Sequence, residues 1–217
     1  AMDKAANLAM KEVSDSGKLL DGAKVTAVTG DSTCTDAAVA QAAGEKLVTG
    51  DGVKGIVGAD CSGVTGAVLS NVAVPNGIVM VSPSATSPAL STAEDNGLFF
   101  RTAPSDAREG EVAADIMIER GIKTAALTYT NNDYGKGLAE AIAASFTAKG
   151  GVITIQAAHE DGKADYSAEV GALAAAGGDI LIVAGYLDQG GAGIIQAALD
   201  TGAFSTFQLP GGMIGTS

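Results

Sequence analysis

Short β-branched runs alternate with longer stretches whose apolar residues recur at helical spacing. The pattern predicts strands over Lys24–Thr29, Gly55–Val57, Ile78–Ser82 and Leu98–Arg101, with helices over Ala1 to about Ser14, Ala37–Val48 and the segment ending at Ala73. The alternation then restarts. Strands are predicted over Thr124–Thr130, Val152–Ala157, Ile180–Ala184 and Phe207–Leu209, and helices over Asp106–Arg120, Asp133–Lys149, Tyr166–Ala176 and Gln189–Thr201. Between the two series, Thr102-Ala-Pro-Ser-Asp-Ala-Arg108 joins a proline to the helix-capping residues Ser105 and Asp106, and is the natural crossing between domains. Repeated strand–helix alternation implies parallel sheets, so the expected fold class is α/β, with two Rossmann-like lobes over residues 1–103 and 104–217.

The stretch Gly55–Thr86 is the most informative. It reads as strand, helix, strand, and each strand ends in small hydroxyl residues: Ser62 after the first, Ser84 and Thr86 after the second. Ser62 is placed to cap the following helix, whose free amides would face a ligand. Open α/β sheets bind small molecules at the carboxyl edge of their strands, so these residues are expected to form half of an anion-binding cleft.

Composition narrows the chemistry. The chain of 217 residues has four Tyr, five Phe and no Trp, so its core must be built from Ala, Val, Ile and Leu around abundant Gly, as in parallel sheets under Ala-rich helices. A net charge of −12 without a basic cluster argues against nucleic acid as a partner. No run approaches the roughly 18 apolar residues of a membrane span, and direct membrane insertion is not expected. No signal-peptide pattern is present, which does not assign the chain to the cytoplasm, since a mature chain has lost its leader.

Enzyme motifs fail in turn. Asp60-Cys-Ser62 lacks the glycine that a nucleophile elbow needs two residues before the serine. Gly191-Ala-Gly193-Ile-Ile-Gln196 has glutamine where a dinucleotide fingerprint needs its third glycine. His159 is the single histidine and reads, with Glu160 and Asp161, as part of a solvated turn. Neither catalysis nor a cofactor is expected. Cys34 and Cys61 each follow a predicted strand; free core thiols and a disulfide are both open on the residues alone, and two Cys with one His make a poor zinc set.

Five motifs in order carry a family resemblance: Gly58-Ala-Asp-Cys-Ser62, Val81-Ser-Pro-Ser-Ala-Thr86, Phe100-Arg-Thr-Ala103, Asn132-Asp-Tyr-Gly-Lys-Gly-Leu138, and Asp165-Tyr-Ser167 with Gly178-Asp179. Together they resemble the periplasmic branched-chain amino-acid-binding proteins, the type I solute-binding proteins of ABC importers. The resemblance implies a non-enzymatic, periplasmic protein that closes two lobes by hinge motion on a small carboxylate-bearing ligand, an amino acid or related organic acid, and delivers it to a membrane permease. It implies that Ser62, Thr86 and the backbone at Ser84 and Ala85 hold the ligand carboxylate. Tyr134 and Tyr186 would contact the ligand from the second lobe, and Cys34 and Cys61 would form a disulfide. Rival expectations are the sensory ectodomain of a receptor with this fold, and a small α/β enzyme.

Two departures stand out. Members of the family are longer, beginning with a strand ahead of the first helix and continuing past residue 217, so this chain resembles a fragment lacking its first strand and C-terminal portion. The first-lobe sheet is then expected to have an empty position between Lys24–Thr29 and Gly55–Val57. Leu209-Pro-Gly-Gly212 also has glycine where the resemblance implies an acid for the ligand's ammonium group. Either Asp188 or Asp133 replaces that acid, or the ligand is an organic or aromatic acid without an ammonium, filling the volume that Gly211 and Gly212 leave free.

Overall fold

The computed structural model describes residues 2–215. The chain divides into two compact units, one running up to Ala85 and including Ala93–Ala103, the other made of Thr86–Thr92 and the chain from Pro104 onward.

The first unit contains α1 (Met2–Ser16), α2 (Ala37–Glu45), β1 (Gly55–Val57), α3 (Ser62–Val68), β2 (Val79–Ser82) and β3 (Phe99–Arg101). Its three strands form a parallel sheet in the order β1-β2-β3, with Val57 opposite Val81 and Val81 opposite Phe100. Helices α2 and α3 each run on into a π-helical turn, Lys46–Gly50 and Leu69–Ala73. Val64, Val68, Leu69 and Val72 are buried, as are Met80 and Phe99 from the strands. Gly44 lets α2 approach α3, since a Cβ there would meet the Val68 side chain at 3.1 Å. Val57, Val79 and Phe100 remain 56%, 40% and 55% exposed, so apolar side chains of this sheet stay in water.

The strand expected over Lys24–Thr29 does not form. These residues join no ladder among the described residues, they are exposed, and the Val25 amide donates to the Ser14 hydroxyl at 2.9 Å. β-Branched alternation supplies the tendency to extend, but a strand exists only once a neighbouring backbone completes its hydrogen bonds. Lys24–Thr29 and β1 are not paired with each other.

The second unit follows the predicted alternation closely: α4 (Asp106–Glu119), β4 (Thr124–Thr130), α5 (Asp133–Ala148), β5 (Val152–His159), α6 (Ser167–Ala176), β6 (Ile180–Ala184), α7 (Ala192–Asp200) and β7 (Phe207–Gln208). The strands are all parallel, in the order β5-β4-β6-β7. Ile180, Ile182 and Ala184 pack with Leu127, Leu138, Ile142 and Phe146 on one side. Leu181 and Val183 pack with Ala126, Val170, Leu173 and Ile194 on the other. Period-two alternation thus feeds two cores, as a sheet covered on both faces requires. Ser105 caps α4 through the Ala107 amide, and Asn132 caps α5 through the Gly135 amide at 2.8 Å.

Cys34 and Cys61 are joined by a disulfide, with Cα atoms 5.4 Å apart and a sequence separation of 27. It ties the irregular segment before α2 to the N-terminus of α3. Closing a loop of this length contributes about 3–4 kcal/mol in the chain-entropy model. Thiol titration of the denatured, unreduced chain should find no free thiol, and reductant should lower the denaturant midpoint of the first unit; an unchanged midpoint would contradict the assigned role.

Candidate functional site

In the first unit, the loops after β1 and β2 are held together by Ser82. Its hydroxyl donates to the Ala59 carbonyl at 2.6 Å and accepts from the Ala85 amide at 3.0 Å. The Arg101 guanidinium, at the end of β3, donates to the Ala85 carbonyl at 3.2 Å. The Ser84 hydroxyl donates to the Asp60 carbonyl at 2.7 Å and lies against the Asp60 carboxylate. Ser62 differs from expectation. Cys61 occupies the cap position, with no capping bond from its side chain, and Ser62 is the first residue of α3 and only 3% exposed. The disulfide fixes Cys61 there, which moves the cap one residue earlier than the pattern of hydroxyl residues suggests. The Asp60 carboxylate lies near both cysteine sulfurs, but sulfurs bonded to each other offer no thiolate to a metal.

In the second unit, the carboxyl ends of β4, β6 and β7 bring several groups together. Tyr134, in the first turn of α5, and Tyr186, just after β6, stack with ring centroids 4.7 Å apart. The Tyr134 hydroxyl accepts the Gly212 amide at 3.2 Å, and the Glu109 carboxylate of α4 accepts the Gly211 amide at 3.0 Å. Burial, and after it the negative charges of Glu109 and Asp106, push the Tyr134 phenol well above its ordinary value, so it stays protonated and able to donate. Thr86 donates its hydroxyl to the buried carboxylate of Asp106 at 3.0 Å, and its carbonyl accepts the Asp106 amide at 2.9 Å.

The two glycines after β7 are not alike. A Cβ at Gly211 would meet nothing nearer than the Glu109 carboxylate, at 4.0 Å. At Gly212 it would meet the Gly185 carbonyl at 2.3 Å and the Tyr134 hydroxyl at 2.8 Å. The free volume expected at Gly212 is therefore already filled. Asp133 and Asp188 are both exposed, and the acid found against Gly211 is Glu109, which the sequence pattern did not single out.

His159 is not in a solvated turn. It ends β5, is 1% exposed, and its Nδ1 and Nε2 lie 2.9 Å and 3.3 Å from the Thr128 and Thr130 hydroxyls. Thr130 also donates to the Gln189 carbonyl and accepts the Tyr186 amide, each at 3.3 Å. At Gly185 φ is +147°, and a Cβ would lie 2.0 Å from the Thr130 hydroxyl oxygen, so glycine is required beside this hub. Burial holds the His159 imidazole below its ordinary value of 6.5, against weaker opposing contributions from Glu169, the Gln189 backbone, Glu160 and Asp161.

The chain matches the family model described as receptor family ligand binding region over residues 1–204. It is 38% identical over 149 residues to Leu/Ile/Val-binding protein homolog 3 of Brucella melitensis, covering 66% of this chain and 39% of that one. To the leucine-, isoleucine-, valine-, threonine- and alanine-binding protein of Pseudomonas aeruginosa it is 30% identical over 207 residues, covering 95% of this chain and 54% of the relative. Among solved structures, the branched-chain amino acid transporter substrate binding protein LivJ of Streptococcus pneumoniae, in complex with isoleucine, superposes with a TM-score of 0.78 at 28% identity, covering 95% of this chain and 57% of that one. The chain thus spans about half the length of these relatives, or less.

A histidine held neutral in the fold contributes stability that is complete above its unfolded pKa and is lost as pH falls from about 6.5 toward the depressed folded value. Thermal unfolding of the intact chain between pH 7.5 and 5 should show a steeper acid-side loss than that of His159→Gln. Parallel pH profiles would mean that His159 does not titrate in the folding transition.

Proposed function

We infer function from family membership: this chain belongs to the receptor family ligand-binding-region proteins and, among them, to the branched-chain amino-acid-binding proteins of ABC importers. It has their type I periplasmic binding fold. Its role is to capture a small carboxylate-bearing solute, an amino acid or a related organic acid, outside the cytoplasm and present it to a membrane permease. It is not an enzyme on this reading. The observation that carries the reading is the stacked pair Tyr134 and Tyr186 at the carboxyl edge of a parallel sheet, in a chain whose amino-acid-binding relatives align across nearly its whole length.

The chemistry of the hydroxyl residues supports a carboxylate ligand. Ser84 and Thr86 each donate their one hydroxyl proton toward a carboxylate, Asp60 and Asp106, and a ligand carboxylate would take these donors in place of those acids. Ser62, Ser84, Ala85 and Thr86 are assigned to the ligand's carboxylate, and Tyr134 and Tyr186 to the remainder of the molecule. The disulfide between Cys34 and Cys61 supports residence in an oxidising, extracytoplasmic compartment. Among the described residues no helix is long and apolar enough to cross a membrane.

A thermal-shift screen against amino acids and organic acids tests the reading, because a ligand that binds only the folded state raises its midpoint. A shift with a carboxylate-bearing compound and no turnover is expected; no shift across the panel would overturn it. Thr86→Val should weaken binding of the hit by about 1–3 kcal/mol in calorimetry and also lower stability, since Asp106 loses a donor, whereas Thr86→Ser should retain most of both. Equal affinity of the valine variant would remove Thr86 from the site.

A further inference from the structure

His159 is a buried titratable group that solute capture does not use, and it lies under the loop that follows β6. That loop, Leu187–Gly191, leaves helical geometry at Gln189 and at Gly190, where φ is +90°. Three contacts seat it, all within the second unit. The Gln189 carbonyl accepts from the Thr130 hydroxyl, and the Tyr186 amide donates to the same oxygen, each at 3.3 Å. Gly190 lies against the imidazole itself. A Cβ there would come within 2.8 Å of the His159 ring and of the Tyr166 hydroxyl.

The hydrogen bonds fix the tautomer of the ring. Thr130 has one hydroxyl proton and gives it to Gln189, so at Nε2 the imidazole is the donor. Nδ1 then carries the lone pair and accepts the Thr128 hydroxyl at 2.9 Å. A proton added at Nδ1 would meet a hydroxyl that is itself donating. Thr128, only 1% exposed, would have to turn that hydroxyl away, and no second acceptor is found for it among the described residues.

The new charge would also lack a close counter-charge. From β4 the ring meets only the uncharged Thr128 and Thr130. Glu169 of α6, with Glu160 and Asp161 beyond β5, attracts a proton through space, and burial outweighs all three. Glu169 is paired with Lys163, Glu160 accepts from Asn131, and Asp161 accepts the Gly162 amide. Tyr166 meets the ring edge-on at 6.3 Å and donates its hydroxyl to the Glu160 carbonyl. Asp188, in the loop, is exposed. The walls around the imidazole yield unequally. Thr128 and Thr130 belong to a strand paired on both sides, whereas Leu187, Gln189 and Gly190 are half-buried at the surface.

We propose that His159 is a proton-operated latch on the loop after β6: a proton taken from water onto Nδ1 breaks the bond with Thr128 and drives Gln189 and Gly190 off the ring, freeing Tyr186–Gly191. Released into water, the imidazole returns to its ordinary value of 6.5, above its value in the closed loop. Closure is therefore complete above about pH 6.5 and is lost as pH falls below it. Tyr186 is part of the freed segment, so on the ligand-capture reading above, acid would also weaken capture.

Hydrogen exchange of the intact, solute-free chain between pH 7.5 and 5.5 tests the latch. It reads the loop directly, so failure of the latch is distinguishable from failure of solute capture. After correction for intrinsic exchange, protection of the Tyr186, Gln189 and Gly191 amides should fall about tenfold, while that of Ile180–Ala184 holds. His159 is the chain's single histidine, so no other imidazole can supply the response. His159→Gln, which cannot take the proton, should remove the pH dependence. Constant loop protection in the wild type, or a loss shared equally by Ile180–Ala184, would overturn the latch whether or not the variant folds. An equal acid loss in a folded His159→Gln would overturn it as well.

Discussion

Complete burial of β6 is the constraint on which the second unit depends. All five residues of Ile180–Ala184 are buried, so helices must cover the sheet on both faces. Strands linked through such helices run parallel, and every strand then ends on the same edge. Asn132 and Tyr134 after β4, Gly185 and Tyr186 after β6, and Gly211 after β7 are neighbours for that reason alone. The α4 helix, packed on the same face as α5, delivers Asp106 and Glu109 to the same edge. The site is thus a by-product of hydrophobic alternation, and its chemistry is set by which residues happen to stand just beyond the strands.

Polar groups at the edge are organised by one another. Thr130 serves His159, Gln189 and the Tyr186 amide at once, and Ser82 does the equivalent for Ala59 and Ala85 in the first unit. Buried hydroxyls suit this work because each is both donor and acceptor. Loops fixed in this way have less conformational freedom to lose, and such preorganisation is what favours affinity wherever a loop meets a ligand.

Most of the second unit was legible in the sequence, because β4, β6, α4 and α5 combine strong period with clear capping residues. Lys24–Thr29 was misread, since propensity is local while pairing is not. His159 was misread because the polar run after it resembles a turn, and nothing in the local pattern shows that Thr128 and Thr130, on the neighbouring strand, would shield it. The disulfide followed from family resemblance rather than from spacing. Glu109 carries no signal in the sequence for a different reason: a glutamate in a helical first turn is ordinary, and its bond from the Gly211 amide joins positions 102 apart.

Adjacent glycines in Pro210-Gly211-Gly212 have different evolutionary futures. Position 212 is closed by the Gly185 backbone and the Tyr134 hydroxyl, so replacement there disturbs the fold before it touches recognition. Position 211 opens on space, so a side chain there costs the fold little. Side chains can therefore be sampled at 211 while the chain stays folded, whereas the loop one residue further on is held to glycine.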